Sequence, residues 1–327
     1  MTGCDAVKLV YQNEFGCAHM MKNGQAYAVL EKEYNDADAD IRARCIPIGN
    51  RRVRLPIALA KGLDVGCDML FEMCAYSARR DGTAESYFEK IAEVIEACRD
   101  GQLPFSCDEI YELSKDCVPI GHSDAFRREY HPSYRVVDTA VQVILPIISK
   151  TQERMRQGKR TVIAIDGCAA AGKSTAAQAL GALFRCSVVH ADDFFLPKDM
   201  KTPERLAQAG GNIHYERLKY EVIDHLGKPF EYNVYDCSSG GFSGKREIAQ
   251  SDVTVVEGSY CLHPHFGSYA DIKVYLDIDE KTQKERILAR SGETMLARFV
   301  NEWIPMERRY DEFYKIKENC DITVDIQ

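Results

Sequence analysis

The chain has 327 residues, 45% hydrophobic and 28% charged, with a formal net charge of -8. That length exceeds what one core organises and predicts two domains, at a soft prior of about 150 residues each, while the acidic balance lacks the basic surplus that grips nucleic acid. Thirteen cysteines are scattered, odd in number and never in a Cys-x-x-Cys pair, and no apolar signal segment precedes them, so a reducing cytoplasm is expected in preference to a disulfide-framed secreted domain.

In chain order, Ala6 to Tyr11 and Ala26 to Leu30 read as short strands. Cys45 to Ile48 and Val53 to Ile57 flank Gly49-Asn50 as a hairpin, with Pro47 and Pro56 demoting both arms to edges. Phe88, Ile91, Ala92 and Ile95 fall at helical spacing before Gly101, and Ser106 with Glu109 has the spacing of a capping box. Phe126 to Arg135 gathers cations and aromatics that can hold an anion but more commonly form a solvated loop. Glu14, Cys17, His19, His122 and His131 match no zinc spacing. This half reads as α+β, with a first domain over 1–140, a helical linker over 141–159 and a second domain over 160–327. The most apolar run, Val141 to Ile148, is interrupted by Gln142 and Pro146, so no membrane span is expected.

Beyond the linker the rhythm changes. Thr161 to Ile165 is an apolar strand followed by a glycine turn and an alanine-rich helical pattern from Lys173, the start of a βαβ unit. Ser187 to Val189, Val253 to Val256, Ile272 to Leu276 and Ile322 to Ile326 are further buried strands, which predicts an α/β domain of three layers around a parallel sheet.

The turn after the first strand reads Gly167-Cys168-Ala169-Ala170-Ala171-Gly172-Lys173-Ser174-Thr175. It matches G-x-x-x-x-G-K-[ST] in the strand-then-helix setting that this phosphate-binding loop requires. Glycines let successive N–H groups point inward, the helix N-terminus adds a positive dipole end, Lys173 reaches the β and γ phosphates, and Ser174 offers a hydroxyl to Mg²⁺. ATP and Mg²⁺ are the expected cofactors. Cys168 is either oxidation-sensitive or simply a small loop residue. Val253 to Glu257 ends a strand in one carboxylate, where such proteins place a metal or water ligand, so Glu257 joins Ser174 as a metal candidate. The loop alone leaves open a switch, a motor or a metabolite kinase. The guanine-reading Asn-Lys-x-Asp is absent, and Ser238-Ser239-Gly240-Gly241 lacks the leucine of a transporter signature.

From Arg160 to Ile326 these motifs resemble the uridine kinase-like phosphate-loop kinases, which include uridine-cytidine kinases, nicotinamide riboside kinases and phosphoribulokinases. The resemblance rests on the loop, on Ser187 to Phe195 with its Asp192-Asp193-Phe194-Phe195, on Val256-Glu257-Gly258, and on Trp303 to Tyr310 with Asn319 to Ile322. It implies that Asp192 takes the proton from an acceptor hydroxyl, with Lys173 and Glu257 serving the transfer. Asp193 would orient its neighbour, meet the metal through water or the substrate, or merely cap the next turn. Gly210 to Arg217 resembles the segment that holds a ribose and base, so Tyr215 would stack on a ring and Glu216 would accept sugar hydroxyls, although the family usually has aspartate at the latter position. Tyr235-Asp236 resembles a base-contacting hairpin, but Cys237 to Gly241 departs from it. Arg286 and Arg290, four apart on one helix face, resemble the lid pair that clamps ATP phosphates, with Arg246 and Arg298 as weaker candidates. The implied partner is a small-molecule acceptor with a hydroxyl, such as a nucleoside or riboside; a homo-oligomer is left open. The alternatives are a kinase of another sugar or vitamin alcohol, or a nucleotide sensor with a vestigial ATPase.

Overall fold

A computed structural model of the chain describes residues 1–22, 24–79 and 82–326, which divide into two compact units, Met1–Leu145 and Pro146–Gln327. The first unit begins with helices α1 (Gly3–Phe15), α2 (Ala18–Met21) and α3 (Ala26–Asp36), where strands were expected at Ala6 to Tyr11 and Ala26 to Leu30. The reason is legible in retrospect. Ala6, Val7, Val10, Tyr11 and Glu14 are buried at helical spacing, and Thr2 with Asp5 forms the capping box, its Thr2 N–H donating to Asp5 Oδ2 at 2.9 Å. In α3 the apolar start continues into Glu31-Lys32-Glu33, good helix formers, and only Leu30 is buried.

Strands β1 (Ile46–Gly49) and β2 (Arg52–Pro56) form the expected hairpin around Gly49, Asn50 and Arg51, all at positive φ. Helices α4 (Ile57–Gly62), α5 (Cys67–Ser77), α6 (Ala84–Arg99), α7 (Cys107–Ser114) and α8 (Asp124–Tyr130) follow, then β3 (Tyr134–Asp138). Because β3 pairs with β2, the sheet order is β1-β2-β3, and β2 is central rather than an edge. Pro56 is tolerated because it ends the strand. Ser106 caps α7 by accepting the Glu109 N–H, and Val7, Val10, Tyr11, Tyr87, Ile91 and Ile110 form a core between α1, α6 and α7.

Helix α9 (Thr139–Arg156) runs across the boundary between the units with Pro146 inside it. The second unit continues with β4 (Thr161–Gly167), α10 (Lys173–Phe184), β5 (Ser187–His190), α11 (Pro203–Leu206) and α12 (Tyr215–Glu221). An antiparallel hairpin of β6 (Phe230–Asp236) and β7 (Gly241–Ile248) precedes β8 (Val253–Glu257) and β9 (Ile272–Ile278). Helix α13 (Glu280–Arg298) breaks at Gly292, where φ is 76°, and leads through a π turn into α14 (Ile304–Tyr314) and β10 (Ile322–Ile326). The five expected strands make one sheet in the order β10-β9-β4-β8-β5, every pair parallel. β4 lies at its centre. The chain leaves β4 toward β5 on one side and later returns through β8 to β9 on the other, so the sheet carries its switch point at the C-terminal end of β4. Among the described residues, no helix is long and apolar enough to cross a membrane.

Candidate active site

The loop Gly167 to Thr175 leaves the C-terminal end of β4 and enters α10 at Lys173. Two glycines permit this path. Gly167 has φ 136°, and a Cβ there would lie 2.1 Å from the Leu276 carbonyl oxygen, so only glycine lets β4 pass this close to β9. Gly172 caps α10 at φ 92°. The Lys173 ammonium arches back over the loop and donates to the carbonyls of Gly167 (2.8 Å) and Cys168 (2.9 Å). Residues from the two C-terminal helices hold the loop from outside: Gln283 donates to the Ala169 carbonyl (3.0 Å), Arg286 to that of Ala170 (3.5 Å), and Glu307 accepts the Ala169 N–H (2.9 Å). Burial pushes the Cys168 thiol up to about 11, so it stays a protonated small residue beside Tyr275 and Asp277 rather than a reactive thiolate.

Strand pairing brings the second carboxylate to the loop. Glu257 at the end of β8 pairs in register with Ile165 of β4 and His190 of β5, and it is buried. Its Oε2 accepts the Ser174 hydroxyl at 3.2 Å, and its Oε1 lies 2.5 Å from His190 Nδ1. That contact raises the His190 pKa against the opposing effect of burial, and favours the protonated ring.

Asp192 and Asp193 follow β5 in a single 3-10 turn, Ala191–Phe194, rather than on the strand itself, so they diverge by turn geometry instead of by pleat. Asp192 is exposed to solvent and within electrostatic reach of Lys173. Loss of hydration raises its pKa; Lys173 opposes that, and the negative charges of Glu257 and Glu307 add to it. Gly258, at φ 131°, lets the chain after β8 lie against it: a Cβ there would stand 2.9 Å from Ala191 Cβ and 3.3 Å from Asp192 Oδ1. Asp193 is buried and committed elsewhere. Its Oδ2 accepts from Tyr232 (2.9 Å) and Arg246 (2.8 Å), and its carbonyl from Arg217 (2.6 Å), which ties the turn to the β6–β7 hairpin.

The remaining expected residues are distributed less favourably. Glu216 forms a two-pronged pair with Arg205 at 2.7 and 2.9 Å, so its carboxylate already has a partner. Tyr215 stacks on His263 with centroids 4.7 Å apart and carries the Arg205 guanidinium 3.7 Å from its ring centre. Tyr235 is buried, edge-on to Phe242. Arg290 parts from Arg286: it donates to Ser291 and lies over Phe299, while Arg298 lies over Trp303. Three loop partners went unread in the sequence. Gln283 sits in an ordinary helical stretch, and Glu307 lies within the Trp303 to Tyr310 segment, where nothing local marks it as a loop partner. Asp166 had a local signal: a carboxylate at the last strand position before the loop. It is fully buried and accepts the N–H groups of Gly167 (2.8 Å), Tyr260 (3.2 Å) and Leu262 (3.0 Å) and the Tyr310 hydroxyl (3.0 Å), while burial pushes its pKa up to about 6.

A parallel sheet whose central strand runs through a Gly-rich loop into a helix, with a carboxylate at the neighbouring strand end, defines the P-loop nucleotide-binding class of α/β folds. No family model and no curated protein matches the chain. Among solved structures, one described as a possible uridine kinase from Bacillus stearothermophilus is 19% identical over 55% of this chain and 100% of its own, with a TM-score of 0.39. Another, described as a putative fructose transport system kinase from Silicibacter, is 19% identical over 54% of this chain and 97% of its own, with a TM-score of 0.42.

Proposed function

We propose that the chain is a cytoplasmic ATP- and Mg²⁺-dependent kinase that transfers the γ-phosphate of ATP to a hydroxyl of a nucleoside or related riboside. The observation that carries this reading is the hydrogen bond from Ser174 to Glu257, which joins the helix N-terminus after the loop to the end of the next strand in the sheet. The hydroxyl and carboxylate are hard oxygen donors 3.2 Å apart, a donor set that suits Mg²⁺. When bound, the ion neutralises phosphate charge and orients the transferred group.

The chain's own residues divide the remaining work. The N–H groups of residues 172–175 at the N-terminal end of α10 receive the phosphates, and Lys173 exchanges its loop carbonyls for phosphate oxygens, with Arg286 on the same loop. Asp192 accepts the proton of the acceptor hydroxyl as that oxygen attacks the γ-phosphorus, while the bond from phosphorus to the ADP oxygen breaks. His190 holds Glu257 in orientation through its Nδ1 contact. The resemblance assigns Tyr215, Glu216 and Tyr235 to the acceptor side, where Tyr215 and Glu216 are engaged by His263 and Arg205 and Tyr235 is buried against Phe242.

The test is ADP release from ATP by the full chain with and without a panel of nucleosides, ribosides, sugars and vitamin alcohols. Release that depends on a nucleoside or riboside supports the proposal. Release with another alcohol moves the acceptor class, and tight ATP binding that no acceptor affects returns the chain to a nucleotide sensor.

A further inference from the structure

Glu307 is a carboxylate at the loop for which the transfer chemistry has no use. Its Oε2 accepts the Ala169 N–H (2.9 Å) and its Oε1 the Ser259 hydroxyl (2.7 Å). The same helix, α14, carries two further contacts. Tyr310 donates to Asp166 at the end of β4 (3.0 Å). Arg309 donates to the carbonyls of Leu206 (2.6 Å) and Gln208 (3.1 Å), in the stretch that leads from α11 to the acceptor-side segment at Gly210. One helix of 11 residues therefore grips both the loop and the approach to the acceptor side.

A carboxylate on a loop amide is an obstacle to phosphate. An N–H serves one strong acceptor at a time, and two anions that crowd the same donors repel each other at short range. A polyphosphate drawn in by Lys173 and the α10 N-terminus thus competes with Glu307, and the carboxylate relieves the competition by withdrawing. Arg309 sits two positions further along the same helix, so a shift of Glu307 strains its two carbonyl contacts.

Resting on the kinase reading, we propose that Glu307 is a positioning residue that couples phosphate arrival at the loop to the acceptor-side segment: the phosphates displace its carboxylate from Ala169, α14 shifts, and Arg309 loosens its hold on Leu206 and Gln208. Linkage makes the coupling reciprocal, so loosening the Arg309 end eases phosphate binding at the other.

The experiment measures affinity of the full chain for Mg²⁺ with a non-hydrolysable ATP analogue by calorimetry, and hydrogen exchange over 203–209 with and without that ligand. Glu307→Gln keeps a carbonyl acceptor for the Ala169 N–H and turns an amide donor to the Ser259 hydroxyl, which can accept, but it removes the charge, so it is expected to bind the analogue about tenfold tighter. Arg309→Met, which lacks any charge near the loop, tightens binding by a smaller factor, and in the unaltered chain the ligand speeds exchange over 203–209. A purely structural Glu307 would give equal or weaker binding in Glu307→Gln, which overturns the inference. Unchanged affinity in Arg309→Met, or unchanged exchange over 203–209, overturns the coupling. If the unaltered chain binds no analogue, the kinase reading falls with it; if both chains bind it equally, only the inference falls.

Discussion

Two aspartates adjacent in the chain meet opposite surroundings. Asp193 is buried and answered by Tyr232 and Arg246, whereas Asp192 is exposed, with Lys173 as the cation that most lowers its pKa. On the proposed mechanism, Asp192→Asn lowers kcat by about a hundredfold to ten-thousandfold, with ATP affinity within about twofold. Asp193→Asn instead weakens the latch to the hairpin and costs about 1–3 kcal/mol of stability, with a smaller loss in kcat. Steady-state kinetics with urea unfolding of both variants separates these, and equal, severe kinetic losses would overturn the assignment of a single base. A base must be ionised to accept a proton, and burial raises the Asp192 pKa above its ordinary 3.8. The kcat/KM profile therefore falls toward acid through an inflection above that value.

At the level of elements, Asp166 is a node that fastens the loop strand to the chain after β8 and to α14 through four donors. These donors favour its anion, but burial outweighs them and lifts the pKa from 3.8 to about 6. A raised folded-state pKa means that the stabilising contribution is complete below about pH 4 and is lost as pH rises through about 6, a change on the order of 2–3 kcal/mol. Asp166→Asn cannot titrate, so its stability deficit relative to the unaltered chain narrows between pH 4 and pH 7.5. Urea unfolding at the two pH values measures this, and a deficit that widened with pH would contradict the assignment.

For the whole molecule, two compact units divide the chain near Leu145, and the proposed nucleotide site belongs to the second. We propose that the first serves regulation or assembly. Ligand that binds only the folded state stabilises by about 2.7 kcal/mol at a hundredfold excess over Kd. Mg²⁺ with an ATP analogue is thus expected to slow hydrogen exchange chiefly at the loop and at the ends of β4 and β8, within Pro146–Gln327. Uniform protection of Met1–Leu145 instead would place the nucleotide elsewhere.

The sequence by itself determined the features whose cause is local. Apolar runs marked all five strands of the parallel sheet, glycine spacing marked the loop, and serine with glutamate marked the α7 cap, because each is a property of a few consecutive residues. It misread α1 and α3, where a window of five or six residues fits both periods and only the longer buried pattern decides. It could not reach what strand order and helix docking impose: Ser174 meeting Glu257 across 83 positions, Glu307 meeting Ala169 across 138, or Arg205 occupying Glu216. It also left Asp193 open, because which neighbour in a turn faces solvent depends on what packs behind it. Here Tyr232 and Arg246 of the hairpin fill that place, and the tertiary structure alone decided it.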